Sequence, residues 1–243
     1  MPKLRQLCAA YWKEALKLKR QQPQHFHLGK LLQTFPRWRR SLDGQATPLA
    51  DESPWMTFGA IQFLQTILRP EMRVFEYGSG GSTLFFSRRV QQVYSVEHDP
   101  LWHRRVAQTI QDQQRSNCQL ALREPTPDPL TRGMDPSDPE IPISSDEQFP
   151  GHSFQAYAAC IDAHPSQSFD VVSVDGRARP ACLRHSLDKV KTGGFVLVDN
   201  AERTHYQRSY QLLAGLRWQR QDFPGPGPYN LYFWQTTVWQ RLA

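Results

Sequence analysis

One stretch constrains this chain more than any other. Val74-Phe75-Glu76-Tyr77-Gly78-Ser79-Gly80-Gly81-Ser82-Thr83 is followed, fourteen residues after Thr83, by Glu97 at the end of Val93-Tyr94-Ser95-Val96. A short apolar run feeding glycines reads as a strand entering a tight turn, with a helix starting at the turn. Glycine lets backbone approach a ligand closely, and the unpaired amides of a new helix favour acceptor groups. A carboxylate ending the next strand can accept hydrogen bonds from a ribose diol. The segment is therefore a candidate cradle for a nucleotide-bearing ligand. The structural alternative is a plain glycine turn, with Glu97 beside a helix cap formed by Asp99 and Pro100.

A dinucleotide fingerprint, Gly-x-Gly-x-x-Gly, needs a third glycine where this chain has Thr83. Acid-x-Gly-x-Gly followed by an acid at the end of the next strand resembles instead the first two motifs of the class I S-adenosylmethionine-dependent methyltransferases. The resemblance implies that Glu76, Gly78, Ser79, Gly80, Ser82, Thr83, Glu97, His98 and Asp175 surround the donor. The loop would hold its methionine part and Glu97 its ribose. Ser82 stands where that family usually has a further glycine.

The rest of the chain alternates. Strands are expected at 73–77, 93–97, 118–122, 169–174 and 194–199, with helices near 82–90, 100–115, 153–163, 180–191 and 201–215. Such alternation dictates a parallel sheet covered on both faces. Residues 216–222 and 231–242 are two more β-like runs, too close for a crossover helix and so antiparallel. The expected fold class is α/β, a Rossmann-like three-layer sandwich. Its seven-stranded, mostly parallel sheet ends in a C-terminal antiparallel hairpin and is preceded by N-terminal helices. Over residues 53–243 this resembles the seven-stranded methyltransferase fold.

Residues 1–52 read as a basic helical cap, with helices over 5–20 and 25–35, and 53–243 as the donor-binding domain. Ser53-Pro54 is expected to open a helix running to Leu68. Residues 1–40 hold ten Lys and Arg against Glu14 alone, +9 where the whole chain carries +6. A solvated helix face explains this, as does weak contact with an anionic membrane surface. No aromatic-and-basic module accompanies it, which argues against nucleic acid. Glu124 to Pro150 holds seven prolines, seven acids and only Arg132 as a cation. Regular structure is not expected there, and its −6 can lie against the +9 cap, as filler or as a substrate lid. Cys8, Cys118, Cys160 and Cys182 form no Cys-x-x-Cys pair, no secretory segment opens the chain, and no apolar run approaches the roughly 20 residues a bilayer requires. A cytoplasmic protein is expected.

A second constellation lies downstream. Phe169-Asp170-Val171-Val172-Ser173-Val174 delivers Asp175 to a strand end, and Gly193-Gly194-Phe195-Val196-Leu197-Val198 delivers Asp199 and Asn200. Neighbouring strands of an open sheet align their carboxyl ends along one crevice, so these three should converge beside the glycine loop. Two carboxylates and an amide oxygen suit Mg²⁺ or Ca²⁺. The pattern resembles the metal-dependent O-methyltransferases of catechol and caffeoyl type, which implies that Asp175, Asp199 and Asn200 hold a cation gripping adjacent acceptor hydroxyls. The alternative is capping, with Asp199 and Glu202 as a capping box and Asp175 bracing Gly176.

That subgroup's lysine base falls on Ala178, between Arg177 and Arg179, and a guanidinium accepts no proton. His98 and His205 are the nearest candidate bases. Asp175, Arg177 and His205 are the catalytic candidates, with Arg177 clamping an anionic or polyhydroxylated small-molecule acceptor. The loop Phe223-Pro224-Gly225-Pro226-Gly227-Pro228-Tyr229-Asn230 should lie on the crevice face, either as a rim shaping an acceptor pocket or as a plain rigid turn, while Trp102, Trp218, Trp234 and Trp239 read as core. The expected function is methyl transfer to an oxygen of a small molecule. A non-catalytic donor-binding or interaction module and a dinucleotide-dependent enzyme are the alternatives.

Overall fold

The structure is a computed structural model that describes residues 4–214 and 217–243. Its main sheet is built from β1 (Arg73–Tyr77), β2 (Gln92–Glu97), β3 (Cys118–Leu122), β6 (Phe169–Val174), β7 (Val190–Val198), β8 (Trp218–Gly225) and β9 (Trp234–Arg241). The order across it is β3-β2-β1-β6-β7-β9-β8, parallel except where β9 pairs antiparallel with both β7 and β8. A separate two-residue pairing joins β4 (Thr126–Pro127) to β5 (His152–Ser153). The β1 strand lies between β2 and β6, so the order turns back on itself at β1, where an open α/β sheet places its crevice.

Strand residues alternate between two apolar layers, as the two-residue period requires. Phe75, Val172 and Val196 face one cluster with Tyr157, Cys182 and Tyr210. Val74, Val171 and Leu197 face the other with Tyr11, Trp38 and Leu64. The first cluster is covered by α7 (Gln155–Ala158), α8 (Arg179–Ser186) and α9 (Gln207–Ala214). The second is covered by α1 (Leu4–Gln21), α2 (Leu28–Ser41) and α4 (Phe58–Ile67), after the single turn α3 (Pro48–Asp51). The first crossovers are α5 (Gly81–Ser87) and α6 (Pro100–Asp112). The three-layer sandwich and its terminal hairpin are those expected. The bounds given to the last helix at residue 215 and to the following strand at residue 216 lie outside the described residues.

Two expectations need correction. Ser53-Pro54 does not open α4. The helix begins at Phe58, because Thr57 is held by the hairpin: its Oγ1 donates to the Phe223 carbonyl, and the Phe58 amide donates to the Pro226 carbonyl. The same Ser/Thr-Pro signature works one step earlier, where the Thr47 side chain caps α3 and Pro48 follows. The N-terminal helices share the core, since Tyr11, Trp38 and Leu31 join the apolar layer under the sheet and the Trp38 indole donates to the Asn230 carbonyl.

The acidic insert, finally, does not lie against the basic cap. Its carboxylates pair with arginines on the opposite face: Asp146 with Arg177, Glu140 with Arg184, and Asp135 and Asp138 with Arg208. It also carries a 3₁₀ turn, Pro129–Thr131, in place of a wholly irregular course.

Candidate active site

Backbone hydrogen bonds bring the three strand-end loops together. The Gly78 amide donates to the Val96 carbonyl, Asp175 to Tyr77 and Asp199 to Val174. Gly78 sits at φ +89°, and a Cβ there would press on the Gly176 backbone at about 3.0 Å, so glycine is required where the loops after β1 and β6 touch. Above them opens a cavity of about 620 Å³, within the range of small-ligand sites. Gly78, Ser79, Gly80, Ser82, Glu97 and His98 line one end, and Asp175, Arg177, Arg179, Asp199 and Asn200 the other. Trp55, Phe149, Tyr232 and Trp234 complete the rim.

At the glycine-loop end, Glu97 is 3 % exposed and fully engaged. Its Oε2 accepts from the Ser79 amide at 3.0 Å and hydroxyl at 3.1 Å, and its Oε1 from the amides of His98 at 2.8 Å and Asp99 at 3.0 Å. Burial works to raise its pKa, but the His98 ring 2.7 Å away and these amides outweigh it, and the pKa falls below the ordinary value. Glu97 therefore stays ionised and braces the loop. A ribose diol would have to exchange with these donors.

Glu76 and Thr83 lie behind the loop and outside the cavity wall. Glu76 is 1 % exposed, and its Oε2 accepts from Thr83 at 2.6 Å and Ser95 at 2.7 Å while Oε1 has no partner. Thr83 in turn accepts from the Gly80 amide, so the acid supports the turn through one hydroxyl. Burial pushes the Glu76 pKa up to about 7 despite hydrogen bonds from Ser82, Thr83 and Ser95. Trp102, read from the sequence as core, donates its indole N–H to the Ser79 carbonyl at 2.7 Å and walls the cavity. Its position three residues past the Asp99 cap was the available signal.

At the far end, Asp175, Asp199 and Asn200 do converge, and a guanidinium sits among them. Arg179, 9 % exposed, donates through Nε to the Gly176 carbonyl, through Nη1 to the Asp199 carbonyl and Asn200 Oδ1, and through Nη2 to the Asp175 carbonyl and Oδ1. Asp199, 2 % exposed, accepts from the Trp234 indole at 2.9 Å and the Thr236 hydroxyl at 2.5 Å. The capping alternative fails here, because among the described residues the two carboxylates bond to Trp234, Thr236 and Arg179 and to no amide of a following helix. Glu202 likewise accepts from the Gln235 amide.

Burial drives the Asp199 pKa well above its ordinary value, with Asp175 adding to the rise. It lifts Asp175 to about 6 although Arg179 pulls the other way. Among the described residues no group of three or more His, Cys, Asp or Glu is arranged to hold a metal. A divalent cation does not fit this cluster as it stands, since Arg179 already holds Asp175 Oδ1 and Asn200 Oδ1, and Trp234 and Thr236 hold both carboxylate oxygens of Asp199. Arg177 lines the cavity but is paired 2.5 Å from Asp146, with its Nε 3.4 Å from His98 Nε2. His205, the other candidate base, lies outside the cavity wall, its Nε2 3.2 Å from the insert's Ser145 hydroxyl.

No family model matches this chain, and neither does any curated protein. Solved structures do. An O-methyltransferase from Bacillus cereus in complex with SAH is similar over 97 % of this chain and 99 % of its own, at 13 % identity and a TM-score of 0.56. A SAM-dependent O-methyltransferase from Thermotoga maritima is similar over 76 % and 66 %, at 10 % identity and a TM-score of 0.50. An rRNA methylase from Streptococcus thermophilus is similar over 76 % and 95 %, at 13 % identity and a TM-score of 0.50. The fold is thus that of the class I methyltransferases, among whose structures O-directed enzymes and rRNA methylases both occur.

Proposed function

We propose that this protein transfers a methyl group from S-adenosylmethionine to an oxygen of a small molecule. The observation that carries the reading is the single cavity of about 620 Å³ running from the glycine loop and Glu97 to Asp175 and Asn200, so one pocket has room for donor and acceptor side by side. The donor supplies a sulfonium methyl carbon, which the acceptor oxygen attacks as the carbon–sulfur bond breaks. Gly78, Ser79, Gly80 and Ser82 present backbone to its amino-acid part, while Glu97, His98 and Asp175 flank it. Glu97 is ionised and can exchange its Ser79 bonds for ribose hydroxyls.

Asp175 is the residue best placed to take the acceptor's proton. It lines the cavity, and with its pKa near 6 it can accept and release a proton near neutrality. Arg177 then binds an anionic or polyhydroxylated group of the acceptor, which competes with Asp146 for the guanidinium fork. Donor transfer in a protein with four free cysteines and, among the described residues, no helix long and apolar enough to cross a membrane accords with a cytoplasmic setting.

Calorimetry with S-adenosylhomocysteine tests the donor, with stoichiometric binding expected. No binding by the wild type overturns the reading. Turnover screens over phenols, sugars and small acids, with Arg177→Ala beside the wild type, test the acceptor end. Binding without turnover on any acceptor class would favour a non-catalytic donor-binding module, and methylation of RNA would move the acceptor to nucleic acid.

A further inference from the structure

The structure assigns Arg179 the seat that a divalent cation would need: its guanidinium is a built-in positive charge bonded to Asp175, Asp199 and Asn200, and it makes the site independent of metal. All five N–H groups of a guanidinium can donate, and here Arg179 uses five: Gly176 O, Asp199 O, Asn200 Oδ1, Asp175 O and Asp175 Oδ1. Three of these acceptors follow β6 and two follow β7, so one side chain staples neighbouring strand ends. The backbone is bent to suit. Ala178, immediately before it, has φ +47°, and Asn200 has φ +49°. A left-handed alanine is unusual, and such strain persists where surrounding contacts over-determine it. Tyr206 covers the guanidinium, 5.8 Å from its ring centre.

The charge arithmetic agrees. Asp175 opposes the ionisation of the buried Asp199, and Arg179, paired with the Asp175 carboxylate and bonded to the Asp199 carbonyl, pulls both acids the other way. A divalent cation in the same place would have to displace a delocalised cation that never loses its proton.

One consequence rests on the methyl-transfer reading. A metal offers open coordination positions that grip two adjacent hydroxyls, whereas a saturated guanidinium offers no donor to the acceptor. Arg179 is therefore a positioning residue that fixes Asp175 at the cavity wall, and the acceptor needs only one nucleophilic oxygen rather than a vicinal pair.

The test is direct metal binding, followed by Mn²⁺ electron paramagnetic resonance on the full chain without donor or acceptor. Wild type is expected to leave the free-Mn²⁺ signal unchanged up to about 1 mM, the weak end of protein oxygen sites. Arg179→Ala is expected to bind one Mn²⁺ at least tenfold more tightly and to melt at a higher temperature when Mn²⁺ is added. Both gains should disappear when Asp175→Asn is combined with it. Arg179→Lys keeps the charge and should behave as wild type. A wild type that binds one Mn²⁺, lost in Asp175→Asn, overturns the assignment, as does a folded Arg179→Ala that gains no ion. Should Arg179→Ala not fold, the comparison of wild type with Asp175→Asn decides alone. Failure of the methyl-transfer reading shows separately, in S-adenosylhomocysteine calorimetry.

Discussion

The two ends of the crevice manage buried negative charge by different means. At the glycine loop, Glu97 and Glu76 accept mainly from neutral donors, backbone amides and the hydroxyls of Ser79, Thr83 and Ser95, with the His98 ring 2.7 Å from Glu97. At the far end, the Asp175 carboxylate pairs with a fully committed arginine, Arg179, which also holds the Asp199 carbonyl, while the Asp199 carboxylate accepts from Trp234 and Thr236. Neutral donors can be traded one at a time for a ligand's hydroxyls, which suits an end where something binds and leaves. A buried cation with every N–H used cannot be traded without unpairing the Asp175 carboxylate and the strand-end carbonyls together, which suits a fixed wall.

The largest test of this contrast is Arg179→Ala. Removing one partner of a buried charge pair costs roughly 3 to 5 kcal/mol, so a fall in melting temperature of about 6 to 20 °C is expected by calorimetry. A shift of a degree or two would mean that the two ends are held alike.

Next in size is the pH response of Glu76. Its folded pKa of about 7 lies above its ordinary 4.5, so the native state binds the extra proton and this group's contribution to stability is lost as pH rises from 4.5 through 7. Glu76→Gln should remove that slope, on the order of 3 kcal/mol across the window by denaturant titration. An unchanged slope would show that Glu76 ionises freely behind the loop.

Glu97→Gln sharpens the loop end itself. An amide cannot accept all four bonds, so S-adenosylhomocysteine affinity should fall roughly tenfold to a hundredfold while the melting temperature moves little. A large loss of stability with affinity intact would reverse the roles drawn for the two ends. The smallest effect belongs to the half-exposed Arg177–Asp146 pair, where Asp146→Asn should change stability by less than about 1 kcal/mol, and less still at high salt.

The same contrast explains what the amino-acid order revealed. The loop end is made of near neighbours: Ser79 with Glu97, Gly80 with Thr83, and Glu76 with Thr83 and Ser95 all lie within 19 residues. Contacts of that reach are legible in a motif, which gave the strand positions and the glycine-loop side of the cavity, although Glu76 and Thr83 sit behind its wall. Asp199 instead finds Trp234 and Thr236, 35 and 37 residues on, and Arg177 finds Asp146 across the insert. Nothing in Asp-Asn or in Arg-Ala-Arg says whether a partner is a metal, a substrate or a tryptophan. Ser53-Pro54 failed for a related reason, because a helix start is chosen by whichever segment its first amides meet, here the hairpin loop.

The hairpin also sets an order of assembly. In sequence β9 follows β8, yet in the sheet it lies between β7 and β8, so β8 has no strand to pair with until β9 has been made. Asp199 waits on the same strand for its indole and hydroxyl donors. During synthesis the glycine loop, β2 and β6 can pair early, while the acidic wall becomes whole only when a late segment threads between its neighbours. Such long-range closure is intrinsically slow, so the Asp175–Asp199 end of the crevice should be the last to gain protection from hydrogen exchange.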